Sequence, residues 1–125
     1  MSDLTRTYGV GAVPERARKI YEAVLEAQRL AIHALRPGMK AEEVHSITFN
    51  SLRKAKLSKY FTHSTGHGLG LEIHEAPRLG TGDQTVLEPG MVITIEPGVY
   101  VEGFGGVRIE DTILIKNEGA EVLTP

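Results

Sequence analysis

Residues 91–116, MVITIEPGVYVEGFGGVRIEDTILIK, read as β-structure interrupted by turns. Runs of Val, Ile and Thr suit a pleated, half-buried surface, and they predict strands over Met91–Glu96, Val99–Val101 and Val107–Lys116. The segment 101–106, with three glycines, supplies the turn signal before the last of these. Alternation then sorts the side chains. Met91, Ile93 and Ile95 share one face, while Val92, Thr94 and Glu96 share the other. Val107, Ile109 and Asp111 oppose Arg108, Glu110 and Thr112. Each strand therefore offers a mainly apolar face to a core and a more polar face carrying one glutamate. Two adjacent strands could aim Glu96 and Glu110 into one cleft. Glutamates in strands are more often solvated edge residues, but Pro97-Gly98 and Gly105-Gly106 set unusual backbone beside both and favour the cleft.

Upstream, the turn signal at 87–90 (Leu-Glu-Pro-Gly) precedes this β-region, and further strands are expected at Tyr60–Ser64 and near Leu69–His74. The N-terminal half has a different texture. Apolar residues recur at Ile20, Val24, Ala27, Ala31 and Leu35, which predicts an amphipathic helix from Glu15 to Leu35. Pro14 suits its first turn, and residues 36–39 (Arg-Pro-Gly-Met) end it. A second helix is expected from about Ala41 to Leu57, with Val44, Ile47, Leu52 and Ala55 inward and Arg53 and Lys56 outward. Met1 to Tyr8 read as a strand that starts abruptly. Helices first and strands after predict an α+β, or mixed α/β, layer architecture.

At 125 residues the chain makes one domain, 1–125, with enough length for a real core. A net charge of −2 gives no basic footprint, so nucleic acid is not an expected partner. No run approaches the roughly 18 apolar residues of a membrane span; no membrane association is expected, and the cytoplasm is the expected location. Cysteine is absent, which removes disulfides, thiolate metal sites and cysteine nucleophiles together, so a metal would need nitrogen and oxygen ligands.

Residues 63–77, HSTGHGLGLEIHEAP, place three histidines, His63, His67 and His74, ahead of the two strand glutamates. Glycines on both sides of His67 let backbone approach closely and leave room for an ion and a substrate around the ring. A phosphate-binding loop does not fit, because no lysine follows. A single histidine would read as a hydrogen-bonded core residue, and His33 and His45, on the expected helices, read as surface or packing residues. The cluster is different. Imidazoles and carboxylates set among short apolar strands are what a divalent cation needs, since the ion offsets the cost of burying acidic groups. The residues therefore point to hydrolysis assisted by a metal.

These segments, with residues 2–7 (Ser-Asp-Leu-Thr-Arg-Thr), resemble the C-terminal part of the catalytic domain of the pita-bread metallopeptidases. That family includes Xaa-Pro dipeptidase (prolidase), Xaa-Pro aminopeptidase and methionine aminopeptidase. Glu-Pro-Gly-x-Tyr at 96–100 and Val-Arg-Ile-Glu-Asp at 107–111 are similar to its proline-directed branch. The resemblance implies two N-terminal helices packed on a curved, mainly antiparallel sheet. It also implies a two-metal site, commonly manganese with cobalt or zinc as alternatives, and substrates that are proline-containing dipeptides or peptides. Asp3, His67, Glu96 and Glu110 match metal ligands. Glu96 is implied as the proton shuttle and His74 as a catalytic group at the scissile peptide. His63, His74, Arg108 and Tyr100 match substrate-binding positions, with Tyr100 as the hydrogen-bonding neighbour of Arg108.

The family's first aspartate ligand precedes the position of Asp3 and has no counterpart here. The expectation is a partial domain that lacks its N-terminal portion, holds at most one ion and has weak or no turnover. Surfaces left uncovered imply a homo-oligomer. The alternative from another class is a non-catalytic peptide- or protein-binding module derived from the same fold.

Overall fold

The helical spacing of Ile20, Val24, Ala27 and Ala31 is realised in the computed structural model, which describes residues 2–70 and 75–125. These side chains line the buried face of α1 (Glu15–Ala34), with Pro14 at the cap position before it. Helix α2 (Ala41–Lys54) buries Ala41, Val44, Thr48 and Leu52. It stops three residues before the expected end. Lys56 adopts a left-handed φ of 63°, its N–H bonds to the Arg53 carbonyl, and the Leu57 N–H reaches back to the Leu52 carbonyl. That paired closure ends a helix, here with lysine where glycine is usual. Ala55, expected inward, consequently lies past the last turn and is exposed.

Seven strands follow among the described residues. A five-stranded antiparallel sheet runs in the order β2 (Glu75–Leu79), β1 (Gly66–Gly68), β3 (Val92–Ile95), β6 (Asp111–Ile115) and β7 (Ala120–Val122). Strands β4 (Gly98–Val101) and β5 (Gly105–Arg108) form a separate hairpin. This is the mixed α+β architecture expected. Ile93, Ile95, Ile113 and Ile115 meet Ala31, Leu35 and Val44 in one apolar cluster. Val99, Val107 and Ile109 of the hairpin side meet Val24, Ala27 and Leu52 in a second.

Three strand expectations change. The continuous strand over Val107–Lys116 is split, because the chain changes partner in its middle. Arg108 pairs with Gly98, Glu110 with Thr5 in an isolated bridge, and Asp111 with Ile95. Tyr60–Ser64 is not a strand. Residues Ser58–Tyr60 form a 3-10 turn, and the Tyr60 and Phe61 N–H groups bond locally to Leu57 and Ser58, so a ladder has no claim on them. Near Leu69–His74, the observed strand stands earlier, at Gly66–Gly68; residues 71–74 lie outside the described residues. Strands β2 and β7 were not expected. β2 lies on a sheet edge, where Pro77 costs no ladder bond.

Residues 2–7 do not form the strand expected of the N-terminus. They are tied down by side chains as much as by the Thr5 bridge. The Arg6 guanidinium donates to the Glu110 carbonyl at 2.8 Å, the Thr124 carbonyl at 2.7 Å and the Asp111 carboxylate at 2.7 Å. Asp111 is 8% exposed, and it also accepts from Gln28 Nε2 at 2.8 Å and Thr124 Oγ1 at 3.0 Å. A buried carboxylate with this many donors is satisfied, and it anchors the segment that carries Asp3. Among the described residues no helix is long and apolar enough to cross a membrane.

Candidate metal centre

Four elements converge at one end of the sheet. Strand β1 carries His67, the residue after β3 is Glu96, Glu110 lies at the partner change before β6, and Asp3 comes from the anchored N-terminal segment. One ligand atom from each of Asp3, His67, Glu96 and Glu110 can be chosen so that all four lie within 4.8 Å of one another. His67 Nε2 is 3.2 Å from Glu96 Oε2 and 3.6 Å from Asp3 Oδ2.

Of the two uses expected of the glycines beside His67, close backbone approach is the one their surroundings display. A Cβ on Gly66 would overlap the Thr94 carbonyl, and one on Gly68 would overlap the Ala76 carbonyl. They admit the neighbouring strands, and that close approach brings β1 near enough to β3 for His67 to meet Glu96.

The tautomer of His67 follows from its neighbours. Nδ1 lies 2.9 Å from the Gly68 carbonyl oxygen. A carbonyl can only accept, so Nδ1 carries a proton, and Nε2 is the ring atom turned toward the carboxylates. A ring nitrogen gathered with three acidic side chains suits a cation between them.

Glu110 is 2% exposed. Burial above all, then hydrogen bonding to Glu96 and the repulsion of that second carboxylate, push its carboxyl up to about 7. The Thr5 hydroxyl, which donates to Glu110 Oε1 at 2.7 Å, and the Arg108 guanidinium pull the other way. A cation beside Glu110 would offset the burial and repulsion that oppose its ionisation. The donor set is all nitrogen and oxygen, one imidazole and three carboxylates, which fits a divalent ion of manganese, cobalt or zinc type.

An open cleft of about 640 Å³ adjoins these donors and is lined by His63, His67, Glu96, Arg78 and Arg108, among others. His63 is therefore beside the donors. Its Nε2 is 3.0 Å from the Tyr100 hydroxyl. Tyr100 thus pairs with His63 instead of Arg108. The reason lies in the hairpin: Gly98 and Gly106 have no side chains, and the Tyr100 ring occupies the space a Cβ on either would need. Arg108 instead donates to Thr5 Oγ1 at 3.0 Å from Nη2 and 3.3 Å from Nε. His74 lies outside the described residues. His33 is exposed. His45 is half-buried against Phe49 and Phe61, with Nδ1 2.8 Å from Thr65 Oγ1. Burial, and then the charges of Arg78 and His63, hold its ring below the usual histidine range.

Sequence reasoning passed over Thr5, Thr94 and Thr112, which bond directly to the donors or to their backbone. The signal was present: Thr94 shares a strand face with Glu96, and Thr112 shares one with Glu110.

Comparison with known proteins gives a consistent picture. The profile described as metallopeptidase family M24 matches residues 1–117. An Xaa-Pro dipeptidase of Pyrococcus furiosus is 56% identical over 123 residues, which is 98% of this chain and 35% of the relative. An Xaa-Pro dipeptidase of Pyrococcus horikoshii is 54% identical over the same length and shares. The solved structure of a prolidase from Pyrococcus furiosus superposes with a TM-score of 0.98 at 56% identity, covering 99% of this chain and 37% of that one. The chain thus spans about a third of the length of the relatives it matches.

Proposed function

This chain belongs to metallopeptidase family M24, and from that premise we propose that its cleft serves metal-dependent hydrolysis of the peptide bond preceding proline. The observation that carries the reading is the convergence of Asp3, His67, Glu96 and Glu110 to within 4.8 Å beside an open cleft. The Xaa-Pro dipeptidase relatives support the substrate class.

In this reading the four residues hold a divalent cation, manganese first, with cobalt or zinc as alternatives. When bound, it supplies Lewis acidity, acidifying water and polarising a substrate carbonyl. Glu96 takes a proton from the attacking water and passes it to the departing proline nitrogen. Its Oε2 already accepts from Thr94 Oγ1 at 2.8 Å, which fixes the carboxylate for that transfer. Arg108 binds the substrate's carboxylate end, where a guanidinium makes paired charge-assisted bonds. His63 and Tyr100 line the pocket, and His74 assists at the scissile peptide. These four donors make one cation position, so the 125 residues alone are proposed to hold one ion per chain and to turn over slowly. The chain is also proposed to self-associate. Leu4, Tyr8, Val10 and Phe104 are 52%, 81%, 92% and 41% exposed, and an apolar groove of about 520 Å³ lies between Tyr8, Tyr21 and Phe104.

The test is a manganese-supplemented assay on a panel of Xaa-Pro and Xaa-Ala dipeptides, run with metal quantification and light scattering. One ion per chain and cleavage confined to Xaa-Pro substrates are expected. Equal cleavage of both sets would overturn the proline specificity. A chain that takes up no divalent ion at all would overturn the metallopeptidase reading.

A further inference from the structure

Thr94 on β3 and Thr112 on β6 stand opposite one another in the ladder, 0% and 2% exposed. A buried hydroxyl costs free energy unless its bonds are made. Here each hydroxyl is committed to the candidate centre. Thr94 Oγ1 accepts from the His67 backbone N–H at 3.2 Å and donates its only proton to Glu96 Oε2 at 2.8 Å. Thr112 Oγ1 accepts from the Asp3 N–H at 3.1 Å and donates to the Asp3 carbonyl at 2.6 Å. One side chain therefore joins the backbone of the imidazole to the carboxylate facing it. The other grips the backbone of Asp3 from both sides.

We propose that Thr94 and Thr112 act as a pair of positioning residues that preset Asp3, His67 and Glu96 for a divalent cation before it arrives. Neither is one of the four donors. Both act through the donors, and being neighbours on adjacent strands they hold those donors in one frame. The inference rests on the metallopeptidase reading above. Valine at either position keeps the strand preference and removes the hydroxyl. Serine keeps the hydroxyl and removes a methyl group.

The experiment is a cobalt(II) titration of the full 125-residue chain and of Thr94→Val, Thr112→Val, Thr94→Ser and Thr112→Ser, following affinity and the visible d–d absorption, with thermal melting of each metal-free chain. The valine variants are expected to bind cobalt about 10- to 100-fold more weakly, the range typical for partners that orient metal ligands, and with an altered spectrum. The serine variants are expected to restore both, whatever their melting temperatures. Valine variants that match the wild-type affinity and spectrum overturn the inference while leaving the metallopeptidase reading intact. Where a valine variant does not fold, its serine counterpart decides: a wild-type spectrum supports the inference, and a shifted spectrum despite the retained hydroxyl overturns it. A wild-type chain that takes up no cobalt removes the reading on which the inference rests, and the inference with it.

Discussion

His67 Nε2 lies 3.2 Å from Glu96 Oε2, where Gly68 stands opposite Ile93 and the Glu96 N–H bonds to the Thr65 carbonyl at 2.6 Å. A backbone ladder sets which segments adjoin but not the rotamers of their side chains. The precision comes from what surrounds it: the Gly68 carbonyl orienting the ring, the Thr94 hydroxyl holding the carboxylate, and glycines that let three backbones crowd together. An imidazole lone pair and a carboxylate oxygen brought this close are poorly matched until a proton or a cation lies between them.

The metal-free chain should lose stability as pH rises through the Glu110 titration. Its carboxyl is raised from the ordinary 4.5 to about 7 in the folded state. Between those values the folded state holds a proton that the unfolded state has released, so stability falls with increasing pH and levels off above about 7. The loss is on the order of 1 to 3 kcal/mol. Melting curves in chelator from pH 4.5 to 8.5 should show it, and Glu110→Gln should flatten this part of the profile. An unchanged slope in the variant would place the effect elsewhere.

Cation uptake should run the opposite way with pH. A ligand must shed its proton to bind, so affinity for manganese should climb by up to tenfold per pH unit below about 7 and level off above it. Isothermal titration in two buffers of different ionisation heat should register proton release at pH 6 and much less at pH 8. Glu110→Gln should show weak uptake at both.

Much of this site was legible before any coordinates. Alternation put Glu96 and Glu110 on the polar faces of their strands, and a carboxylate oxygen of each lies within the same group of four ligand atoms. What alternation could not show was the partner change between Ile109 and Asp111, because a switch from hairpin to N-terminal segment to central sheet depends on three separate segments, those of Gly98, Thr5 and Ile95. The close backbone approach expected of Gly66 and Gly68 is present, but the backbones that come close, at the Thr94 and Ala76 carbonyls, are chosen by strand pairing that the glycines do not specify. Tyr60–Ser64 had the composition of a strand but lost its donors to a local turn, a competition that periodicity does not register.

Arg6→Ala should weaken both the fold and the centre. The guanidinium pairs with buried Asp111 at 2.7 Å and also holds the Thr5, Glu110 and Thr124 carbonyls, so its removal leaves a buried carboxylate short of donors, at about 2 to 4 kcal/mol. The same change releases the segment bearing Asp3 and Thr5. Urea denaturation should report the stability loss. Manganese affinity, measured well below the unfolding midpoint, should fall with it. A variant destabilised yet binding the ion as tightly as wild type would show that Asp3 keeps its place without the anchor.

Gly66→Ala should be among the most damaging single methyl additions in the chain. The new Cβ would overlap the backbone carbonyl of Thr94, and backbone cannot rotate aside as a flexible side chain can. Either β1 moves away from β3, or the central strand itself is pushed toward β6, and each course separates His67 from Glu96. Overpacking of this kind costs about 3 kcal/mol where the clash is with fixed atoms. Gly82→Ala provides the contrast: its left-handed φ of 83° strains alanine, but nothing lies within 4 Å of the added carbon, so the cost should be about 1 kcal/mol. The urea midpoint of Gly66→Ala should drop several-fold further than that of Gly82→Ala, and only Gly66→Ala should lose cobalt affinity in the residual folded population. Comparable midpoints for the two variants would mean that β1 has slack the close approach of these backbones denies.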